Sequence, residues 1–292
     1  MQRRLAVFVV LLIAAIAHGQ ERIRDLIYMK QAGAAFTMDV FKPKAPNGAA
    51  IIFLVSGGWF SSHENINAQL AEGLNAEGFT VFQVVHGAQP RYKIPEISKM
   101  VTRAIRFIRA NSSTYGVDPE RLGLTGASAG GHLSLFAAGS ADEGNPAATD
   151  PVEKQPSRVA AVVAIFPPTD FLNYGTFNAQ TLLKGVMFAP FRGAFGLPAE
   201  PTDEQIAKVA RDTSPIYTVT AKFPPTLLIH GDADPLVPVQ QSQVFRDALA
   251  KAGVVHDLMV VKGGKHDGTT VGPGMPRLVA WFKEKLAKKG KF

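Results

Sequence analysis

An α/β fold, with a mostly parallel twisted sheet and helices on both faces, is predicted for this 292-residue chain by three observations. The apolar run Ala49 to Val55, without polar alternation, suits a strand buried on both faces, and Phe79 to Val85 reads as the next buried strand. Segments with helical apolar spacing lie between these runs, and that alternation indicates a parallel sheet covered on both sides. The composition, 46% hydrophobic and 19% charged, fits a globular chain long enough for one large core.

The chain begins differently. Arg3 and Arg4 precede an uninterrupted apolar run from Leu5 to Ala17, followed by small residues. A bilayer needs about 20 helical residues, so the run reads as a secretory signal over residues 1–19, cleaved after Ala17 or Gly19, rather than an uncleaved anchor. The folded part is therefore expected to be secreted or periplasmic, with no stable membrane span after cleavage. No cysteine is present, which rules out a disulfide framework and a thiol nucleophile. The net charge of +7 becomes +5 without Arg3 and Arg4. Much of it sits at Lys283, Lys285, Lys288, Lys289 and Lys291, read as a solvated helix face that complements the helix dipole. No aromatic residues interleave with a basic groove, so nucleic acid is not an expected partner.

From residue 20 onward one domain is expected. Arg24 to Lys42 reads as two short strands closed by a turn cluster from Pro43 to Gly48. The strand Ala49 to Val55 ends in Ser56-Gly57-Gly58-Trp59. A helix from Asn65 to Gly78 leads to the strand Phe79 to Val85. Ile97 to Ala110 carries an apolar helical stripe, beside which Arg103, Arg106 and Arg109 read as a solvated face. Further strands are Leu122 onward, Val159 to Phe166, Thr226 to His230 and Asp257 to Val261. Helices fill the gaps at Leu133 to Gly139, Val239 to Ala252 and Pro276 to Lys289. One stretch breaks the rhythm: about 169–221 is too long for a plain connection and reads as a small cap-like insertion with a short helix at Asp203 to Arg211. Its aromatics Tyr174, Phe177, Phe188, Phe191 and Phe195 either wall a pocket or pack the cap onto the body.

The chemistry centres on Gly126-Ala-Ser128-Ala-Gly130. Between a strand and a helix, glycines two residues either side of a serine allow a tight turn that leaves the hydroxyl exposed above the sheet. Ser128 is the candidate nucleophile, and the N–H of Ala129 at the helix start faces charge forming beside it. A serine needs a base, and the base an orienting acid. Reactive groups collect at the carboxyl ends of strands. His266, in the glycine-rich loop Lys262-Gly-Gly-Lys-His266-Asp-Gly268 after a strand, meets that condition. His256 precedes the same strand and faces away, and His132, inside the helix after Ser128, suits packing. Asp234, in Gly231-Asp232-Ala-Asp234-Pro235 after the strand Thr226 to His230, is the candidate acid, because Pro235 keeps its backbone extended. Asp232 stands as the alternative. Gly57 and Gly58, with Ala129, are the expected oxyanion donors, since glycines let N–H groups approach a ligand.

These segments resemble the α/β-hydrolase superfamily, and within it secreted esterases of the hormone-sensitive-lipase-like and feruloyl or acetyl-xylan esterase groups. The resemblance rests on Gly126 to His132, on Asp118-Pro-Glu-Arg-Leu122, on Pro224 to Pro238 and on Gly263-Gly-Lys-His266, and it covers nearly all of the chain after the signal. It implies the order Ser128, Asp234, His266 and assigns the acid to Asp234 rather than Asp232. Two departures stand out. The relatives' oxyanion loop usually reads His-Gly-Gly-Gly-Trp where this chain has Val55-Ser-Gly-Gly-Trp59, and Val85-His86-Gly87-Ala88-Gln89-Pro90 replaces a Tyr-Arg-Leu type segment. The resemblance implies a serine hydrolase cleaving carboxylic esters through an acyl-enzyme, with a small-molecule or carbohydrate ester as substrate and no metal or organic cofactor. A prolyl-oligopeptidase-like peptidase and a non-catalytic binding protein on the same scaffold are the rival readings.

Overall fold

The computed structural model describes residues 21–288. The expected signal segment lies outside the described residues, as do Lys289 and Lys291. Strands β1 (Glu21–Gln31) and β2 (Ala34–Lys42) form an antiparallel hairpin, and β2 pairs antiparallel with β4 (Thr80–Val85). From there the sheet is parallel through β3 (Ala50–Val55), β5 (Leu122–Ala127), β6 (Ala161–Ile165), β9 (Thr226–Gly231) and β10 (His256–Val261). The eight strands run in the order β1-β2-β4-β3-β5-β6-β9-β10.

Period-two alternation within the strands builds a core on each face. Ile52 and Leu54 of β3, Val162 and Ala164 of β6 and Leu228 of β9 face α2 (Ile94–Ala110), α3 (Ala129–Gly139) and α6 (Gln240–Lys251). Ile51, Val163, Leu227 and Ile229 face α1 (Ala68–Asn75) and α7 (Gly268–Lys285). Burial on both sides explains why these strands show no polar alternation. Helix α7 starts eight residues before the expected Pro276. The Asp267 side chain caps it by accepting the Thr269 N–H at 2.9 Å, and burial of Leu278, Trp281 and Phe282 carries it past Pro273 and Pro276.

Between β6 and β9 the chain folds over the carboxyl edge of the sheet. It carries a two-residue hairpin, β7 (Asn173–Tyr174) and β8 (Phe177–Asn178), then α4 (Ala179–Lys184), a 3-10 segment (Val186–Phe195) and α5 (Asp203–Asp212). Gln241 of α6 anchors its start: the Gln241 side-chain oxygen accepts the Thr169 and Asp170 N–H groups at 2.7 and 2.8 Å.

The arginine face of α2 is not solvated. Arg109 is only 5% exposed and donates to the Pro156 carbonyl at 3.1 Å and to Glu120 at 2.9 Å. Arg103 pairs with Asp150 at 2.7 Å and Glu153 at 2.8 Å, and Arg106 pairs with Glu153 and Asp142. The acidic segment after α3 folds back onto α2, a tertiary contact that a helical repeat of arginines does not reveal. The C-terminal lysines are closer to expectation: Lys283 reaches Glu77 at 2.7 Å, and Lys285 lies 4.7 Å from the Trp281 ring.

The turn between β5 and α3 is a tight join. A Cβ added at Gly126 would lie 2.5 Å from the Gly130 carbonyl carbon, and one at Gly130 would lie 2.9 Å from the Leu54 carbonyl oxygen. Gly126→Ala is therefore expected to lower stability by about 1–3 kcal/mol, as over-packing does. Thermal unfolding checks this, and an unchanged melting midpoint would show that the turn has room.

Candidate active site

Ser128 sits where β5 turns into α3 with φ 54° and ψ −121°, a region L-residues rarely occupy. Its own N–H donates to the Ile165 carbonyl at 2.9 Å, and the close packing at Gly126 and Gly130 leaves the turn no other path. The hydroxyl stands clear of the sheet and donates to Nε2 of His266 at 2.8 Å. On the far side of the ring, Nδ1–H donates to Oδ2 of Asp234 at 2.7 Å. The second carboxylate oxygen of Asp234 accepts the N–H groups of Leu236 and Val237, both at 2.9 Å. Three loops from three strand ends thus place one acid, one base and one hydroxyl in a continuous hydrogen-bonded line. That arrangement can move the serine proton to imidazole while the carboxylate fixes which ring nitrogen stays protonated.

The electrostatics suit the line. The Asp234 side chain is fully buried and that of His266 is 15% exposed. Burial by itself raises the Asp234 pKa, but the hydrogen bonds from His230, His266 and the Val237 N–H, with the charge of His266, outweigh it and hold the carboxyl well below its usual range. Asp234 is therefore ionised at neutral pH.

Asp232 has another place. Its Oδ1 accepts the Gly263 N–H at 2.6 Å, tying the β9 loop to the β10 loop that carries His266. A Cβ at Gly231 would collide with the Gly264 backbone, so these two loops touch directly. The His256 ring bonds the Val254 carbonyl, at the opposite end of β10. His132 is buried beneath the site, where Nδ1 accepts from Trp59 Nε1 at 3.2 Å and Nε2 donates to the Thr213 carbonyl at 2.7 Å.

One expected oxyanion donor is not available. The Gly57 N–H donates to the Phe60 carbonyl at 3.0 Å, and Phe60 returns a bond to Gly57 at 2.9 Å, closing a small antiparallel bridge. Gly58 and Trp59 form the tip of that bridge, with φ 57° and 61°. Among the described residues the N–H groups of Gly58, Trp59 and Ala129 have no acceptor, and all three residues line the cleft at Ser128. The Gly57 N–H is thus engaged, while the unengaged N–H groups beside the cleft are those of Gly58, Trp59 and Ala129. A glycine pair in a loop indicates close approach but not which peptide turns inward.

The cleft is small. Gly58, Trp59, Tyr174, Phe188, Phe191, Leu236 and Val237 wall it, with room of about 20 Å³, little more than the about 10–15 Å³ that one water needs. Of the aromatics after Pro167, Tyr174, Phe188 and Phe191 line it, Phe195 packs behind Trp59 at 5.5 Å between ring centroids, and Phe177 is exposed. The insertion therefore both walls the cleft and packs onto the body.

The model of the BD-FAE family matches residues 38–249. The chain belongs to the BD-FAE family. Esterase LipQ of Mycobacterium tuberculosis is 32% identical over 60% of this chain, which spans 39% of that protein. The chain spans about half the length of the curated relatives it matches. Among solved structures it is similar to a truncated carbohydrate esterase from gut microbiota, with a TM-score of 0.75 and 26% identity over 92% of this chain and 97% of that one. It is also similar to an acetyl ester-xyloside bifunctional hydrolase from Caldicellulosiruptor lactoaceticus, with a TM-score of 0.70 and 26% identity over 88% and 92% of the two chains. The fold is that of the α/β-hydrolases.

In this BD-FAE member several supporting residues carry no signal in the sequence. His230 directs Nε2 at the Val237 carbonyl, 2.9 Å away, and lies 3.5 Å from Asp234 Oδ2, while Nδ1 accepts from Ser242 at 2.7 Å. The Phe166 ring backs the His266 imidazole at 4.3 Å. Both could have been suspected only from their positions at the carboxyl ends of strands.

Burial holds the imidazoles of His132 and His86 down to about 4, against an ordinary 6.5, although the hydrogen bonds to Thr213 and Gly87 pull upward. Between these values the unfolded chain binds more protons than the folded one. Stability is thus complete above 6.5 and is lost as pH falls toward 4. The melting midpoint should decline through that window, and His132→Asn should flatten the decline. A midpoint independent of pH would contradict the assignment.

Proposed function

We propose that this chain is a serine esterase that removes short acyl groups, acetyl above all, from carbohydrate or similar polyol esters. One observation carries the reading: the Asp234–His266–Ser128 line opens into a small cleft walled by Trp59, Tyr174, Phe188 and Phe191. His266 takes the Ser128 proton as the oxygen attacks the ester carbonyl, and the N–H groups of Gly58, Trp59 and Ala129 receive the oxyanion. His266 then protonates the departing alcohol. Water, deprotonated by the same ring, attacks the acyl-enzyme and releases the acid and Ser128. Asp234 holds the ring tautomer throughout. The small cleft favours acetyl over feruloyl, which carries an aromatic ring on its acyl chain. Similarity to a carbohydrate esterase and to an acetyl ester-xyloside hydrolase supports a sugar as the alcohol. The apolar run after Arg3 and Arg4 supports export, where polymeric carbohydrate is met.

Hydrolysis of p-nitrophenyl acetate should be abolished in Ser128→Ala and reduced on the order of 10⁴-fold in kcat in Asp234→Asn. Turnover that survives loss of Ser128 overturns the mechanism. Across p-nitrophenyl acetate, butyrate and octanoate, kcat/KM should fall steeply with acyl length, and Phe188→Ala should shift the preference toward butyrate. Equal rates along the series would separate the cleft from acyl selection.

A further inference from the structure

The segment Val85-His86-Gly87-Ala88-Gln89-Pro90, which follows β4 and departs from the relatives' pattern, contributes no group to the proton transfer. Yet Gln89 is among the more thoroughly bonded side chains near the cleft. It is 4% exposed. Its Nε2 donates to the Gly58 carbonyl at 3.0 Å and to the Pro190 carbonyl at 2.9 Å, and its backbone N–H donates to the Trp59 carbonyl at 3.1 Å. Because both side-chain partners are carbonyl oxygens, only the amide NH₂ can face them, and one residue supplies both hydrogens.

The geometry reaches the oxyanion donors through peptide planarity. In a trans peptide the C=O and the following N–H point in opposite directions. The Phe60–Gly57 bond holds the Gly57 carbonyl and so directs the Gly58 N–H the other way. No bond of that bridge holds the next peptide; Gln89 does. By taking the Gly58 carbonyl it sets the direction of the Trp59 N–H. Its other amide hydrogen goes to Pro190, within the 3-10 segment Val186–Phe195 that covers the cleft. The same segment lays the Phe191 ring so closely on Gly58 that a Cβ there would lie 2.7 Å from the ring.

We propose that Gln89 is a positioning residue that fastens the Gly58–Trp59 peptide to the covering segment at Pro190, so that alignment of the oxyanion donors depends on that segment being seated. The role rests on the esterase reading. Loss of the clamp leaves the acid, base and nucleophile in place but lets the Gly58–Trp59 peptide rotate. The oxyanion then loses stabilisation that the bound ester, with its uncharged carbonyl, uses far less.

The test is Gln89→Met, which keeps the length of the side chain and removes both donors. Removing an oxyanion donor outright costs about 10²–10³ in kcat, so a misdirected one should cost about 10-fold on p-nitrophenyl acetate, with KM within about 2-fold. Amide hydrogen exchange should rise together in the peptides covering 57–60 and 186–195, while β5 and α3 keep wild-type protection and report an intact fold. Exchange that rises in neither or only one of the two segments overturns the clamp, with or without an assay of turnover. Wild-type turnover with kcat unchanged in Gln89→Met overturns the role of Gln89 alone. Wild-type protein with no Ser128-dependent hydrolysis overturns the esterase reading and, with it, the positioning role.

Discussion

The site depends on a backbone conformation that an isolated chain would avoid. Ser128 at φ 54° and ψ −121° is held there because β5 and α3 are packed against their neighbours before and after it. Gly126 and Gly130 let the strand and helix approach, the Ile165 carbonyl takes the Ser128 N–H, and α3 is buried along nearly its whole length. The strain is small beside the burial of the surrounding core, so the turn keeps one geometry. In return the hydroxyl is raised to where a base can reach it, and Ala129 begins a helix with a free N–H beside it.

Every other element of the site is arranged relative to that turn. The acid and base come from adjacent parallel strands, β9 and β10, whose loops are joined by the Gly231–Gly264 contact and by Asp232 holding the Gly263 N–H. His230, Leu236 and Val237 complete the surroundings of Asp234 and keep it charged in a buried place. Behind Trp59, His132 supplies an acceptor for the indole and a donor for the Thr213 carbonyl, so a buried imidazole links the Gly58–Trp59 turn to the chain following α5. The segment over the cleft is tied down at Thr169 and Asp170 by Gln241 and at Pro190 by Gln89. Gln241 thus ties the segment over the cleft to α6, and Gln89 ties it to the turn at Gly58.

Much of this was legible in the residues, and the exceptions share a cause. Apolar runs of six or seven residues marked the strands because burial on both faces removes polar alternation, and the helices between them set the parallel order. Ser128, Asp234 and His266 could be named because each lies in a short strand-to-loop stretch whose local chemistry is distinctive. Helix ends were less legible where a cap and core burial outweighed prolines, as in α7. Arg103, Arg106 and Arg109 looked solvated because helical periodicity says nothing of an acidic segment some 40 residues later that returns to cover the first two, nor of Glu120 beside Arg109.

By itself, then, the sequence determined that the sheet is mostly parallel and which three loops carry the reactive groups, since these follow from periodicity and local turn chemistry. Only the tertiary structure decided which N–H groups beside the cleft are left unengaged, that Gly57 is occupied by Phe60 while Trp59 is free, and that Gln89 joins the Gly58–Trp59 turn to the segment above it. The reason is physical: a backbone donor is available only when no acceptor from elsewhere in the chain has claimed it, and that competition is settled when distant segments pack together.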